Sequence, residues 1–148
     1  MCKQDPGSTR ALSAFDSVPD LPCPNGWVRF NDHCYLTSET VMSWTEAQAY
    51  CESWDANLVK INNAEENNFV MNLINEASLK MVWIGLKAAL YWYDSSDPVY
   101  TNWASGEPNG QAREPCGSMY GTYDATGFWN DVPCSGVSDI GLVCKRLP

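Results

Sequence analysis

Between Glu107 and Asp131 the chain gathers side chains that share one kind of chemistry. The stretch holds Glu107-Pro108-Asn109, then Glu114-Pro115-Cys116, then Trp129-Asn130-Asp131-Val132-Pro133-Cys134. These segments offer three carboxylates and two side-chain amides, all hard oxygen donors. Calcium takes about six to eight such oxygens, mixing carboxylates, amide carbonyls and water. No helical or strand period runs through the stretch; Trp, Gly, Pro and Asn punctuate it instead. A long irregular segment inside a compact domain is functional or disordered, and the aromatics and cysteines here argue against disorder. The stretch reads as a calcium site built on a loop.

Positioning those groups falls to the elements around them. Cys23-Pro24-Asn25-Gly26 is a turn signal, and Trp27–Phe30 alternates as a strand does. Asn31-Asp32-His33 turns the chain into Cys34-Tyr35-Leu36-Thr37, giving a hairpin that Cys23 and Cys34 could staple. Ser43-x-x-Glu46 is a capping box. Trp44, Ala47, Cys51 and Trp54 then recur at helical spacing, which points Cys51 into the core, where a disulfide could tie the helix to a distant strand. Asn57–Ile61 reads as a short strand. Asn63-Ala64-Glu65-Glu66 opens a second helix with the stripe Phe69, Val70, Leu73, Ile74 and Ala77. Strand patterns follow at Met81–Leu86 and Tyr91–Tyr93, with a turn at Asp94–Pro98, and again at Ile140–Lys145. Two helices followed by strands predict an α+β domain. Residues 1–22 form an N-terminal arm with Cys2 near its tip, and residues 23–148 form the domain.

Composition narrows the partners. A net charge of −9 excludes nucleic acid, whose phosphates need a basic face. No apolar run approaches a membrane span. Seven cysteines in 148 residues point to an oxidising compartment and disulfides. The chain lacks Cys-x-x-Cys and has one histidine, His33, so zinc is disfavoured. The start, Met1-Cys2-Lys3-Gln4-Asp5, has no apolar core; the expectation is a secreted protein whose leader Met1 has replaced. Six of the cysteines alone allow about fifteen pairings.

Six motifs occur in a telling order: Cys23-x-x-Gly26-Trp27, Trp44-x-x-Ala47-x-x-x-Cys51, Trp83-Ile84-Gly85-Leu86, Glu107-Pro108-Asn109, Trp129-Asn130-Asp131 and the closing Cys144. The chain from about Cys23 to Leu147 thereby resembles a C-type lectin domain. The resemblance implies two helices packed on antiparallel sheets, a long irregular calcium- and sugar-binding loop, and three disulfides: Cys23–Cys34, Cys51–Cys144 and Cys116–Cys134. It implies calcium (Ca2+) ligands at Glu107, Asn109, Glu114, Asn130 and Asp131, with the Asp131 carbonyl as a further ligand and two positions left for adjacent sugar hydroxyls. It also implies a cis bond before Pro108. Pro115 after Glu114, and Lys87-Ala88-Ala89 after the Trp-Ile-Gly-Leu strand, depart from the pattern for a second calcium, so one ion is expected.

In lectins similar to this chain, Glu-Pro-Asn goes with equatorial 3- and 4-hydroxyls, as in mannose, glucose and N-acetylglucosamine, and with fucose. Gln-Pro-Asp goes with galactose. Glu107 and Asn109 therefore imply mannose-type glycans, in cell-surface or microbial recognition and innate immunity. Tyr120, Tyr123 and Phe128 are candidates for stacking on the sugar, which would redirect preference toward galactose. A further alternative is a protein- or mineral-binding module with an idle sugar site.

Each ligand alone has a plainer reading as a solvated or capping group; the ordered set of five is what carries the calcium reading. Trp129, Trp83, Trp92 and Trp103 read as core anchors rather than sugar platforms, and His33 as a surface turn residue. No triad or phosphate loop is recognisable. Glu107 and Glu114 as a glycosidase pair would need one neutral carboxyl, which calcium ligation opposes. An enzyme is not expected. Cys2 is left over, either as an interchain bridge in a disulfide-linked homodimer or as a free thiol.

Overall fold

The computed structural model describes residues 21–87, 90–109, 115–122 and 126–148. The arm as far as residue 20, including Cys2, and the site residues Glu114 and Tyr123 lie outside them.

The hairpin forms as expected, from strands β1 (Val28–Phe30) and β2 (His33–Ser38). Asn31 closes it with a left-handed backbone, φ 53°. Cys23–Cys34 staples the turn that precedes β1. His33 sits at the first position of β2, with its Nδ1 2.8 Å from Asp32 Oδ1.

Helix α1 (Trp44–Glu52) starts at a complete capping box. Ser43 Oγ accepts from the Glu46 N–H at 3.1 Å, and the Ser43 N–H donates to Glu46 Oε1 at 3.0 Å. Its inner face is Trp44, Ala47, Gln48 and Cys51. Trp54 does not extend that face: the helix ends before it, Asp55 turns left-handed at φ 58°, and the Trp54 side chain is half-exposed. Gln48 takes a core position instead, its amide oxygen accepting the Leu58 N–H at 2.9 Å. Cys51–Cys144 ties α1 to the last strand.

The expected strand at Asn57–Ile61 shortens to β3 (Asn57–Leu58). Asn63 caps helix α2 (Ala64–Glu76), accepting the Glu66 N–H at 2.8 Å. Val70 and Ile74 are buried; Phe69 and Leu73 pack on the core from its margin. Ala77 is the C-cap and exposed, so the stripe stops at Ile74. Two polar residues, Glu66 and Asn67, are buried in the first turns.

The remaining strands are β4 (Met81–Trp83), β5 (Leu86–Lys87), β6 (Tyr91–Trp92), β7 (Pro115–Tyr120), β8 (Trp129–Pro133) and β9 (Ile140–Arg146). The main sheet runs β1-β2-β9-β4-β7-β8, with β3 also on β9; β5 and β6 pair separately. The sheet is mixed rather than antiparallel throughout, because β4 runs parallel to β9, Val82 opposite Gly141. Connecting β4 to β9 takes the whole long loop and the β7–β8 hairpin, so the direction of β9 is set by its other neighbours, β2 and β3. The fold class is α+β, with two helices and three disulfides among the described residues, the third being Cys116–Cys134. No helix among the described residues is long and apolar enough to cross a membrane.

One polar cluster locks the core. Glu66 Oε2 lies 2.6 Å from Lys145 Nζ and accepts from the Tyr35 hydroxyl at 2.6 Å, joining α2, β9 and β2. Burial, then the hydrogen bond to Glu66, pushes the Tyr35 phenol far above its ordinary range. Lys145 also donates to the Lys60 carbonyl at 2.9 Å, so the buried charges are paired and bonded.

Candidate calcium and sugar site

The site is built outward from Trp129, the first residue of β8. Its indole is fully buried and ringed by Trp92, Tyr100 and Trp103, with centroids 5.7–5.8 Å away and planes near perpendicular. Edge-to-face contacts of this kind add to what the buried area contributes. The Trp129 backbone holds the incoming loop on both sides: its N–H donates to the Asn102 carbonyl at 2.8 Å, and its carbonyl accepts the Ala104 N–H at 2.9 Å. The Ala104 carbonyl in turn accepts the Glu107 N–H at 2.9 Å. Glu107 is thus placed relative to β8 by two backbone bonds in series.

Two residues beyond Trp129, Asp131 is buried opposite Gly117 of β7. Gly117 is required there: a Cβ would lie 2.7 Å from Leu86 Cβ. From the other side, the Glu107–Pro108 peptide is cis, as expected. The Asn109 N–H points at both carboxyls, 3.2 Å from Glu107 Oε1 and 3.2 Å from Asp131 Oδ1. The two carboxyls come within hydrogen-bonding reach of each other. Burial, together with the facing Asp131, raises the Glu107 carboxyl above its ordinary pKa; the Asn109 N–H opposes this. The remaining described candidate, Asn130, is half-buried between Trp129 and Asp131 and paired with Ser118, whose hydroxyl donates to its carbonyl at 3.3 Å.

The fold therefore brings Glu107, Asn109 and Asp131 together, with Asn130 next to Asp131 on β8. Tyr120 stands apart, three strand positions from Gly117, or about 10 Å along β7. Its backbone pairs with Gly127 and Phe128 instead. Phe128 is exposed at the loop's end, next to Trp129.

Comparison with known proteins fits this geometry. The family model described as the Lectin C-type domain matches residues 40–146. This chain belongs to the C-type lectin domain family. It is 33% identical over 133 residues to C-type lectin domain family 4 member G of Mus musculus, an alignment covering 84% of this chain and 42% of that relative. It is similar to the cow C-type carbohydrate-recognition domain of CD23, solved in the presence of a GlcNAc2Man3 oligosaccharide: 32% identity, TM-score 0.74, covering 86% of this chain and 97% of that one. It is also similar to a calcium-independent type II antifreeze protein, with 27% identity and TM-score 0.74, covering 85% and 95%.

The donor set of this lectin domain fits calcium. Two carboxyl groups that share one N–H donor, with the carboxamides of Asn109 and Asn130 close to them in sequence, make a hard, oxygen-rich donor set. Among the described residues no three His, Cys, Asp or Glu side chains converge; the third carboxylate of the expected set, Glu114, precedes the described part of β7. A cation would favour the charged form of Glu107, against the burial and the facing Asp131 that raise its carboxyl.

The support beneath the site escaped the sequence reading. Asn67, on the buried face of α2, accepts from the Trp129 indole N–H at 2.8 Å and donates to the Gly127 carbonyl at 3.2 Å. Asn102 donates to the same carbonyl at 3.0 Å. The signal was present: Asn67 precedes Val70 and Ile74 by three and seven residues, so it is a polar residue on the apolar stripe.

Proposed function

We propose that this chain is a calcium-dependent lectin domain for glycans that present vicinal equatorial 3- and 4-hydroxyls, of the mannose, N-acetylglucosamine and fucose type. The observation that carries the reading is the convergence of the Glu107 and Asp131 carboxyls on the Asn109 N–H. Glu107, Asn109, Glu114, Asn130 and Asp131 would hold calcium, which when bound supplies a Lewis-acidic seat for two neighbouring hydroxyl oxygens. The chain's own groups do the rest. A carboxylate accepts the proton of each hydroxyl and an amide N–H donates to its oxygen, so an acid–amide pair on each side recognises one hydroxyl of the diol. Charge on the carboxylates strengthens those bonds. The order of acid and amide, Glu107 before Asn109, supports the mannose-type reading over galactose.

The three disulfides and the glycan reading support secretion, with a role in cell-surface or microbial recognition and innate immunity. A homodimer linked through Cys2 would raise avidity by pairing two weak sites. The solved relative studied with an oligosaccharide of N-acetylglucosamine and mannose supports the glycan class. A second reading is a protein- or mineral-binding module with an idle site. The likeness to a calcium-independent antifreeze protein favours it, and the paired carboxyls favour the first. Calorimetric titration of calcium into the purified domain separates them. Binding that Asn130→Ala abolishes supports the proposal, whereas calcium binding that survives Asn130→Ala, or is absent from the start, contradicts it.

A further inference from the structure

We infer that Asn67 is a positioning residue for the calcium loop: from helix α2 its amide clamps the chain at Gly127 and Trp129, and the order of the Asn130–Asp131 segment depends on that clamp. The inference rests on the calcium reading for its link to affinity, and on geometry alone for the clamp.

Asn67 is almost wholly buried, and both ends of its amide are used. Its orientation is fixed by chemistry, since an indole N–H can only donate and the atom facing Trp129 must be Oδ1. That leaves Nδ2 for the Gly127 carbonyl. Asn67 and Met71 stand four residues apart and so share one row on the helix. Both meet the loop at the same place: Gly127 is left-handed at φ 71°, and a Cβ there would lie 3.0 Å from Met71 Cβ. The loop is therefore seated along the 67/71 row, held at its last turn before β8.

Next to it, Glu66 bonds Lys145 and Tyr35 on the central strands. One turn of α2 thus fastens the sheet core through Glu66 and the loop through Asn67. A purely space-filling role would suit an apolar residue at this stripe position, as at Val70 and Ile74. What the asparagine adds is a donor and an acceptor for two groups on the loop. Trp129 lies one residue from Asn130 and two from Asp131, so freeing its indole frees the strand that carries both.

Two readouts test this, on wild type, Asn67→Ala, Asn67→Asp and Val70→Ala. The first is amide hydrogen exchange of residues 126–131 in calcium-free protein. The second is calorimetric calcium affinity. Asn67→Ala is expected to speed exchange across 126–131 while β1 and β2 keep wild-type rates, and to weaken calcium by about tenfold, the order of one lost buried hydrogen bond. Asn67→Asp keeps the acceptor for Trp129 and loses the donor for Gly127. It should give a smaller effect of the same sign, and it is the variant to read if Asn67→Ala does not fold. Val70→Ala, one turn along the same helix, lowers stability without removing a hydrogen bond to the loop and should leave both readouts within about twofold of wild type. Loop exchange and calcium affinity unchanged in both Asn67 variants would overturn the inference, as would equal losses in Val70→Ala. If wild type binds no calcium, the proposed function fails, and the exchange data still decide whether the clamp exists.

Discussion

Glu107 and Asp131, 24 positions apart in the chain, present carboxyl oxygens to one shared donor, the Asn109 N–H, at 3.2 Å each. Like charges this close are unfavourable unless a proton or a cation joins them. In the proposed site a cation joins the two carboxylates, and a proton competes with it.

Calcium affinity should therefore rise with pH. Glu107 in the calcium-free fold is raised above its ordinary value of 4.5, so calcium must displace a proton from a larger fraction of molecules as pH falls toward that range. The sign for stability is opposite. The calcium-free folded state binds more protons at Glu107 than the unfolded chain does, so this group favours folding as pH falls through its raised pKa and disfavours it above. Calcium titrations between about pH 7.5 and 5, in buffers of different ionisation enthalpy, measure both the affinity and the protons released. Affinity independent of pH would contradict the shared-site picture.

The acid–amide order should control which sugar binds. Glu107→Gln with Asn109→Asp reverses that order. Competition binding with mannose and galactose should show the mannose preference falling by about tenfold, roughly what losing one well-placed hydrogen bond to a charged group costs. An unchanged ratio would place specificity elsewhere, with Phe128 an exposed aromatic three residues from Asp131.

Gly117→Ala should damage the site from below. The new methyl would lie against Leu86 Cβ, where both atoms are fixed to backbone. Either β7 or β5 must move, and β7 carries Asp131's partner position. Overpacking of this kind costs about 1–3 kcal/mol. Urea denaturation should show that loss together with weaker calcium binding. Full stability and full affinity would mean the strands have slack here.

The Glu66–Lys145 pair should behave as a buried ion pair. Both side chains are about a tenth exposed or less. Lys145→Met leaves Glu66 uncompensated and should cost about 3–5 kcal/mol. Adding Glu66→Gln should recover part of that loss, because the stranded charge is gone while an amide can still meet Tyr35. A double mutant no more stable than Lys145→Met alone would show that the charge was not the problem.

Much of this was readable from local pattern. The Ser43–Glu46 capping box, the Asn63 cap, the Asn31 hairpin turn and the core role of Trp129 all depend on neighbours within a few residues. The three disulfides came through resemblance, since local pattern suggested bridges at Cys23–Cys34 and from Cys51 to a distant strand but did not select the full pairing. What the residues hid was non-local or decided by a single backbone angle. Trp54 fits a helical stripe, yet the left-handed turn at Asp55 ends the run. Asn57–Ile61 has strand character throughout, but only Asn57 and Leu58 find a partner on β9. The parallel pairing of β4 with β9 leaves no local trace. Asn67 looked like a blemish on an apolar face because its partners, Gly127 and Trp129, lie about sixty residues away.

In the proposed function Glu107, Asn109, Asn130 and Asp131, with Glu114, form a calcium-dependent, mannose-type sugar site. It is tested most directly by calorimetry of the purified chain with mannose and with galactose, each with calcium and with chelator. The expected result is mannose binding that chelator abolishes, with galactose weaker. Chelator-insensitive sugar binding, or calcium bound with no sugar binding at all, would contradict it.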